Sequence, residues 1–463
     1  MINFFNFKQF NESIYLLTND FGRFCFLNTT DFQTLTNNHA DLEPEIRKEL
    51  IDKGFIIEGS VQHFLEAQTN KMRDSKNYIL GATILHIFVV TNQCNLNCVY
   101  CQANNGRKLY KTMTKEIAQK AVDIALSVPQ KELSFEFQGG EPLLNYPIIR
   151  FIIEYAEKNK EDKTIRYSVV TNLTVISDEM IAFFKDHQVS ISTSLDGDSL
   201  LHNLNRSYPD GTGSFDAVLS GIKMVKAAEL PLGAIQTTTR YSFGHEKELI
   251  DTYCDLGFTN IFLRPLSPLG KAKLAWGEIG YTPQEFLHFY QVALSHIIAK
   301  NRNGTPFQET YASTLLTKIL TGYALNYMEL RSPCGAVCGQ LAYYTDGNVY
   351  SCDEGRMLAE MGTDSFKVGN VFTDSYTDIV KSSVCNVACK SSVLESIPAC
   401  CDCVYQPYCG VCPAVNLALY NDVLPKSPHH YRCIINKGIL DYYFWLLYEQ
   451  DPCIMSIINH WVL

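Results

Sequence analysis

Residues 91–102 read "TNQCNLNCVYCQ" and follow directly on the apolar run "ILHIFVV" (84–90). The run reads as a strand, and the three cysteines behind it are spaced C-x3-C-x2-C. Three thiolates can hold a metal, but a closed metal site takes four ligands. The triplet therefore leaves one coordination position to something other than a cysteine of the motif.

Working outward, apolar runs recur at "LSFEFQ", "IRYSVVT", "VSISTSL", "GAIQTTT" and "TNIFLRPL", separated by helical stretches such as "TKEIAQKAVDIALSV" and "DEMIAFFKDH". Repeating strand–helix units predict an α/β fold with a parallel sheet. Six units fit a partial (β/α)6 TIM-like barrel, whose chemistry belongs at the C-terminal strand ends. The notable residues fall there. The cysteine triplet follows the first strand, "GGEP" (139–142) the second, "TNL" (171–173) the third and "SLDG" (194–197) the fourth.

A chain of 463 residues is too long for one compact core. The net charge of −10 comes with no lysine or arginine stripe, which excludes nucleic acid as an expected partner. "MINFFNFKQFNESIYLL" lacks the pattern of a secretory signal, and no uncharged apolar stretch is long enough to span a membrane. A cytoplasmic protein is expected. Its 17 cysteines then argue for metal or iron–sulfur sites rather than disulfides, the more so because most of them cluster.

Residues 1–75 read as a separate winged-helix-like unit. "SIYLLTN" and "GRFCFLN" form a hairpin, "TTDFQTLTNN" and "EPEIRKELIDKG" two helices, and "FIIE" a short strand. The alternative is a plain extension packed on the main domain. Residues 441–463 read as a docked C-terminal amphipathic helix.

The triplet, with aromatic Tyr100 before its last cysteine and GGEP after the second strand, resembles the radical S-adenosylmethionine (SAM) superfamily. The resemblance covers residues 82–433, with the core at 82–310. It implies that Cys94, Cys98 and Cys101 hold three irons of a 4Fe-4S cluster, while the fourth iron takes the amino nitrogen and carboxylate of SAM. Reductive cleavage would then give a 5′-deoxyadenosyl radical. The resemblance further assigns Gly139, Gly140, Glu141, Asn172, Ser192, Ser194, Asp196 and Arg206 to the SAM site. Gly139 and Gly140 would permit close backbone approach, and Glu141 would accept from the SAM ammonium. Ser192, Ser194 and Asp196, alternating on one face, would meet the ribose or methionine moiety, and Arg206 the carboxylate.

Downstream, residues 330–440 resemble the auxiliary-cluster extension called SPASM. Gly347 precedes Cys352 by the expected interval, and Cys400, Cys403 and Cys409 keep the x2 and x5 spacings. Cys412 follows Cys409 after two residues where the pattern has three, a departure that leaves the loop path open. By analogy one cluster takes Cys334, Cys338, Cys352 and Cys412, and a second takes Cys400, Cys403, Cys409 and Cys433. That makes three 4Fe-4S clusters in all. Cys401 could compete as a ligand, Cys385 and Cys389 have no place in the pattern, and Cys25, Cys254 and Cys453 are expected as plain buried thiols. C-x2-C pairs also suit zinc.

Auxiliary-cluster enzymes of this kind mature peptides or sulfatases, and the whole layout looks like the radical SAM maturase of the His-Xaa-Ser peptide system. The resemblance implies an oxidoreductase that modifies, and crosslinks, side chains of a ribosomally made precursor peptide. It also implies an external electron donor of flavodoxin or ferredoxin type. Asp353 matches the place of a proposed proton-accepting base, the plain alternative being a turn whose acids cap backbone amides. Two other readings stand beside this one: a sulfatase-maturing enzyme, and a zinc-stabilised peptide-binding protein without activity.

Overall fold

The computed structural model describes residues 1–79, 81–103, 110–322 and 328–462. Strands β1 (Asn6–Gln9), β2 (Ile14–Thr18) and β3 (Phe24–Asn28) form an antiparallel sheet in the order β1-β2-β3. A second, ten-stranded sheet contains β4 (Leu85–Thr91), β5 (Glu132–Gly139), β6 (Thr164–Val170), β7 (Ser190–Ser194), β8 (Leu232–Thr237), β9 (Asn260–Arg264), β10 (Gln308–Glu309), β11 (Gln340–Tyr343), β12 (Asn348–Tyr350) and β13 (Lys367–Asn370). Its order is β10-β9-β8-β7-β6-β5-β4-β11-β12-β13.

The six strands read from the sequence are β4 to β9, parallel and in chain order. Helices connect them, among them Lys115–Leu126, Tyr146–Asn159 and Asp178–Asp186. In β5, Leu133, Phe135 and Phe137 are buried with the helices, while Ser134, Glu136 and Gln138 alternate with them and are half-buried. The same alternation sets Ser168 on β6 and Ser192 and Ser194 on β7 on that polar concave face. β4 differs. Phe88 and Val90 join the helix-side core, while Ile87 and Val89 are buried with Ala342, Tyr344 and Tyr350 on the other face. Burial on both sides explains its unbroken apolar run.

The reason for that second burial is that the cysteine-rich region does not build a sheet of its own. β11 pairs parallel to β4, and the β11–β12–β13 meander extends the barrel sheet past its first strand. The cysteine triplet and the downstream cysteines thus hang from neighbouring strands.

In the N-terminal unit the hairpin is β2–β3 as read, and both helices are present, at Thr29–Asn38 and Pro44–Asp52. β1 was not legible, because "NFKQ" is largely polar. "FIIE" makes only a bridge, Ile56 to Ile2, because its partner is the short N-terminal tail. A further helix, Val61–Ser75, follows. The unit has its own core of Leu17, Cys25, Leu27, Leu35, Leu50 and Phe55. It also sits on the cysteine-rich region: Asn6 Nδ2 donates to the carbonyls of Cys401 and Cys403, both at 3.2 Å, and Thr18 Oγ1 to that of Val404 at 2.6 Å.

The C-terminal helix is two helices, Tyr431–Glu449 and Pro452–Trp461. Gln450 turns left-handed at φ +51°, and Pro452, which has no N–H to donate, starts a new helix. Phe444 of the first stacks edge-on against Phe24 at 5.2 Å, fixing the N-terminal unit.

Candidate active site

Gly139 and Gly140 end β5, and both are required by backbone proximity. A Cβ at Gly139 would stand 2.2 Å from the Thr91 carbonyl oxygen, and one at Gly140 2.4 Å from that of Gln93. The approach they permit here is to the segment that carries Cys94: Gly140 N donates to Thr91 O at 2.9 Å and Glu141 N to Gln93 O at 2.8 Å. Glu141 is fully buried. Its Oε1 accepts from Leu143 N (3.0 Å) and Thr171 Oγ1 (2.6 Å), and its Oε2 from Asn172 N (2.7 Å). A carboxylate has about four acceptor sites, so one remains on Oε2 for a ligand ammonium. Its main use in the protein is to tie the GGEP loop to the rim after β6.

That rim is held tightly. Asn172 Nδ2 donates to Asn95 Oδ1 at 3.0 Å and points at Cys94 Sγ at 4.0 Å, and its Oδ1 accepts from Thr174 N at 3.0 Å. Leu173 beside it is buried at φ +61°, a left-handed conformation unusual for leucine and found where surrounding structure enforces it.

Tyr100 joins the far wall. Its hydroxyl donates to Asp196 Oδ2 (2.6 Å) and accepts from Arg206 Nη1 (2.6 Å). The other oxygen of Asp196 accepts from Thr237 N at 3.0 Å. Both carboxylate oxygens are engaged by the protein, so Asp196 anchors the motif tyrosine, a use the sequence did not reveal. Ser192 and Ser194 remain half-buried on the concave face.

The three thiols lie close enough to influence one another. Burial first and Cys98 second push the Cys94 thiol up to about 12, while Cys98 is raised to about 11 by burial with the Arg206 guanidinium pulling it back. Thiols this reluctant to ionise become ligands when a metal displaces their protons. An iron–sulfur group held by three thiolates, which carries net negative charge, fits the residues present. The glycine contacts fix the approach of the loop, three thiols converge, and Arg206 Nε is buried with no hydrogen-bond partner among the described residues.

Downstream, Cys334, Cys352 and Cys412 share an apolar cluster with Leu358, Phe366, Ala414 and Val415. Half-buried Glu354 stands near all three and adds to burial in raising their thiol pKa values. The sequence reading passed over Glu354, although it lies in "CDEG". Cys338, grouped with these three from the sequence, has its sulfur instead against Cys385 and Cys389. Cys400, Cys403, Cys409 and Cys433 do come together: burial, then Cys403, Cys433 and Cys400, push Cys409 up to about 12. A pocket is lined by Cys400, Cys409, Cys412 and Cys433 together with Phe262, Arg264 and Pro265 of β9 and its exit. Cys401 is exposed and contributes its carbonyl rather than its sulfur. Cys25 is buried, Cys254 half-buried, and Cys453 exposed at the start of the last helix.

Asp353 opens the helix Asp353–Glu360 directly after Cys352, whose sulfur caps that helix by accepting from Gly355 N at 3.3 Å. Asp353 pairs with Arg356 one turn on, and Arg356 Nη2 also donates to Gln138 Oε1 at 3.1 Å. This places Asp353 by the concave face, near Glu136, whose carboxyl is raised by burial and further by Asp353. Glu136 is a further acid the sequence reading missed, and its strand alternation was the available signal.

Residues 88–254 match the family model of the radical SAM superfamily. The match covers this segment alone. The chain is similar to several curated proteins. It is 32% identical over 188 residues to an uncharacterized protein of Methanocaldococcus jannaschii, covering 41% of this chain and 64%, less than two thirds, of that one. It is 28% identical to the cysteine-type anaerobic sulfatase-maturating enzyme of Clostridium perfringens, over 56% of this chain and 71% of the enzyme. It is 24% identical to the radical SAM cyclopropyl synthase TigE of Paramaledivibacter caminithermalis, over 73% and 69%. Among solved structures, anSMEcpe with bound AdoMet and the Cp18Cys peptide superposes with TM-score 0.68 at 21% identity, covering 82% of this chain and 99% of that one. Streptococcus suis SuiB bound to the precursor peptide SuiA gives TM-score 0.54 at 17% identity, over 93% and 98%. At these identities the structures establish the shared fold. The chain is thus similar to sulfatase maturases and a peptide-modifying enzyme, with the radical SAM match confined to residues 88–254. No helix among the described residues is long and apolar enough to cross a membrane.

Proposed function

We propose that this enzyme crosslinks side chains of a ribosomally made precursor peptide that its N-terminal unit, residues 1–75, captures. The observation that carries this reading is the free flank of β1. It has β2 on one side and no strand on the other among the described residues, with Phe4 and Phe7 exposed beside it. Such an edge takes an extended peptide as an added strand. The unit also donates hydrogen bonds to the Cys401–Val404 backbone, so a captured peptide would be held next to the cysteine-rich region. The likeness to peptide-bound SuiB, which extends over 93% of the chain, supports the same reading.

In this reading Cys94, Cys98 and Cys101 hold the SAM-binding cluster. Once reduced, the cluster with SAM held there would supply the radical chemistry that removes a hydrogen atom from the peptide. Arg206 faces Cys98 and offers its free Nε to an anionic group. Ser192, Ser194 and Asn172 line the rim that receives SAM. Asp353, at the concave face, accepts the substrate proton, and Arg356 orients it. Cys400, Cys403, Cys409 and Cys433 would hold a second cluster and Cys334, Cys352 and Cys412 a third, and these would accept the one electron left when the crosslink forms after loss of the hydrogen atom and the proton. An external flavodoxin- or ferredoxin-type donor provides the electron that reduces the SAM-binding cluster.

Deleting residues 1–75 should abolish binding of the precursor while SAM cleavage without substrate continues, because the barrel cysteines come from later residues. Undiminished precursor binding would overturn the capture role. A Cys94→Ala, Cys98→Ala, Cys101→Ala triple variant should lose about four of about twelve irons and all SAM cleavage. Unchanged cleavage would overturn the cluster assignment.

A further inference from the structure

We propose that Cys338, Cys385 and Cys389 form a binding site for a single zinc ion, separate from the iron–sulfur sites and independent of the functional reading above. The three sulfurs all lie within 4.8 Å of one another, with Cys338 Sγ and Cys389 Sγ 3.3 Å apart. Cys385 and Cys389 are four apart on the helix Ser383–Lys390, so they share one face. Ser382 caps that helix by accepting from Cys385 N at 3.2 Å, which fixes the turn that carries the first thiol.

The third thiol comes from the loop entering β11, and the backbone is bent to bring it. Val337 adopts φ +63°, an outlier for a β-branched residue. It is held by Val337 N donating to Ser351 O and Cys338 N to Ala336 O, both at 2.8 Å. Arg331 lies over the same loop: a Cβ at Gly339 would stand 2.2 Å from its Nη1. Three thiolates on a divalent ion leave one net negative charge, and the Arg331 guanidinium faces it.

The spacing chooses the metal. Zinc–sulfur bonds of about 2.3 Å put neighbouring thiolates of a tetrahedral site about 3.8 Å apart. Thiolates on a 4Fe-4S cubane each bind a different iron and stand wider. Sulfurs gathered this closely suit one borderline-soft, tetrahedral ion, and zinc is the common one with thiolate ligands. Cys338 and Cys389 are half-buried, so an ion can enter and a fourth ligand from solvent can complete the site. The ion would clamp the Ser383–Lys390 helix to the loop that enters β11. Ser392, just past that helix, already receives the Cys334 amide at 2.9 Å, so the clamp would also steady the Cys334 loop.

The test uses full-length protein purified anaerobically. Elemental analysis should find about one zinc per chain beside the iron, and zinc-edge X-ray absorption should show three sulfurs at about 2.3 Å. A Cys385→Ser, Cys389→Ser double variant, and Cys338→Ser alone, should each lower zinc at least tenfold and leave iron per chain unchanged. Zinc that survives the double variant would overturn the site, as would loss of about four irons from any of these variants. A Cys338–Cys389 disulfide in the anaerobic parent would overturn it as well. The absorption measurement on the parent stands even if the variants fold poorly, and a zinc shell with fewer than three sulfurs sinks the proposal.

Discussion

Gly140→Ala tests whether the β5 exit positions the cysteine triplet. The new methyl would lie 2.4 Å from the Gln93 carbonyl oxygen, 2.6 Å from its carbon and 2.7 Å from the Asn92 carbonyl oxygen. Real Cβ contacts do not fall below 3.0 Å, so backbone must move by at least about 0.6 Å. Neither neighbour is the yielding end of a side chain, and Gln93 is followed at once by Cys94. Overpacking of this kind costs about 1–3 kcal/mol. A displacement approaching 1 Å at a reacting centre lowers rates by about 10²-fold. We expect a lower melting temperature and SAM cleavage, read as 5′-deoxyadenosine per bound iron, reduced by about 10²-fold. Gly277→Ala is the control, because a methyl there meets nothing within 4 Å. If Gly140→Ala keeps its stability and cleaves SAM within a few-fold of the parent, the close contact does not position the triplet.

Asp353→Asn should lower crosslinked product per bound iron by about 10²–10⁴-fold while SAM cleavage persists, if Asp353 accepts the substrate proton; loss confined to iron occupancy or stability would assign it to pairing with Arg356 alone. Tyr100→Phe removes the donor to Asp196 and the acceptor for Arg206 in a buried network. It should cost about 1–3 kcal/mol in denaturant unfolding, and an unchanged midpoint would refute the anchoring role. Glu309 is buried between β9 and the helix Thr310–Thr321, and burial raises its carboxyl to about 7. Its folded form holds the proton that an unfolded glutamate releases near pH 4.3. Stability should therefore fall as pH rises from about 4.3 through about 7, by roughly 3 kcal/mol in total. Glu309→Gln should flatten that slope in melting temperature between pH 5 and 8, and an unaltered slope would place the titration elsewhere.

The sequence by itself determined the barrel and the loop that carries its cysteine triplet. The six strands are local apolar runs with a period of two, and Cys94, Cys98 and Cys101 sit on one short loop, so no distant contact is needed to relate them. Local spacing also sufficed for Cys400, Cys403 and Cys409. Only the tertiary structure decided what is set by partners far along the chain. β1 carries a polar sequence and exists because β2 pairs with it. β11 joins the barrel because β4 needs its second face buried. Asp196 answers to Tyr100, nearly a hundred residues away, and Glu141 to Asn172, contacts within the protein that sequence order does not show. Cys338 shows the limit most plainly. Spacing sorts it with Cys334, but Val337 reverses the backbone between them, so its thiol points to a helix that begins 45 residues later.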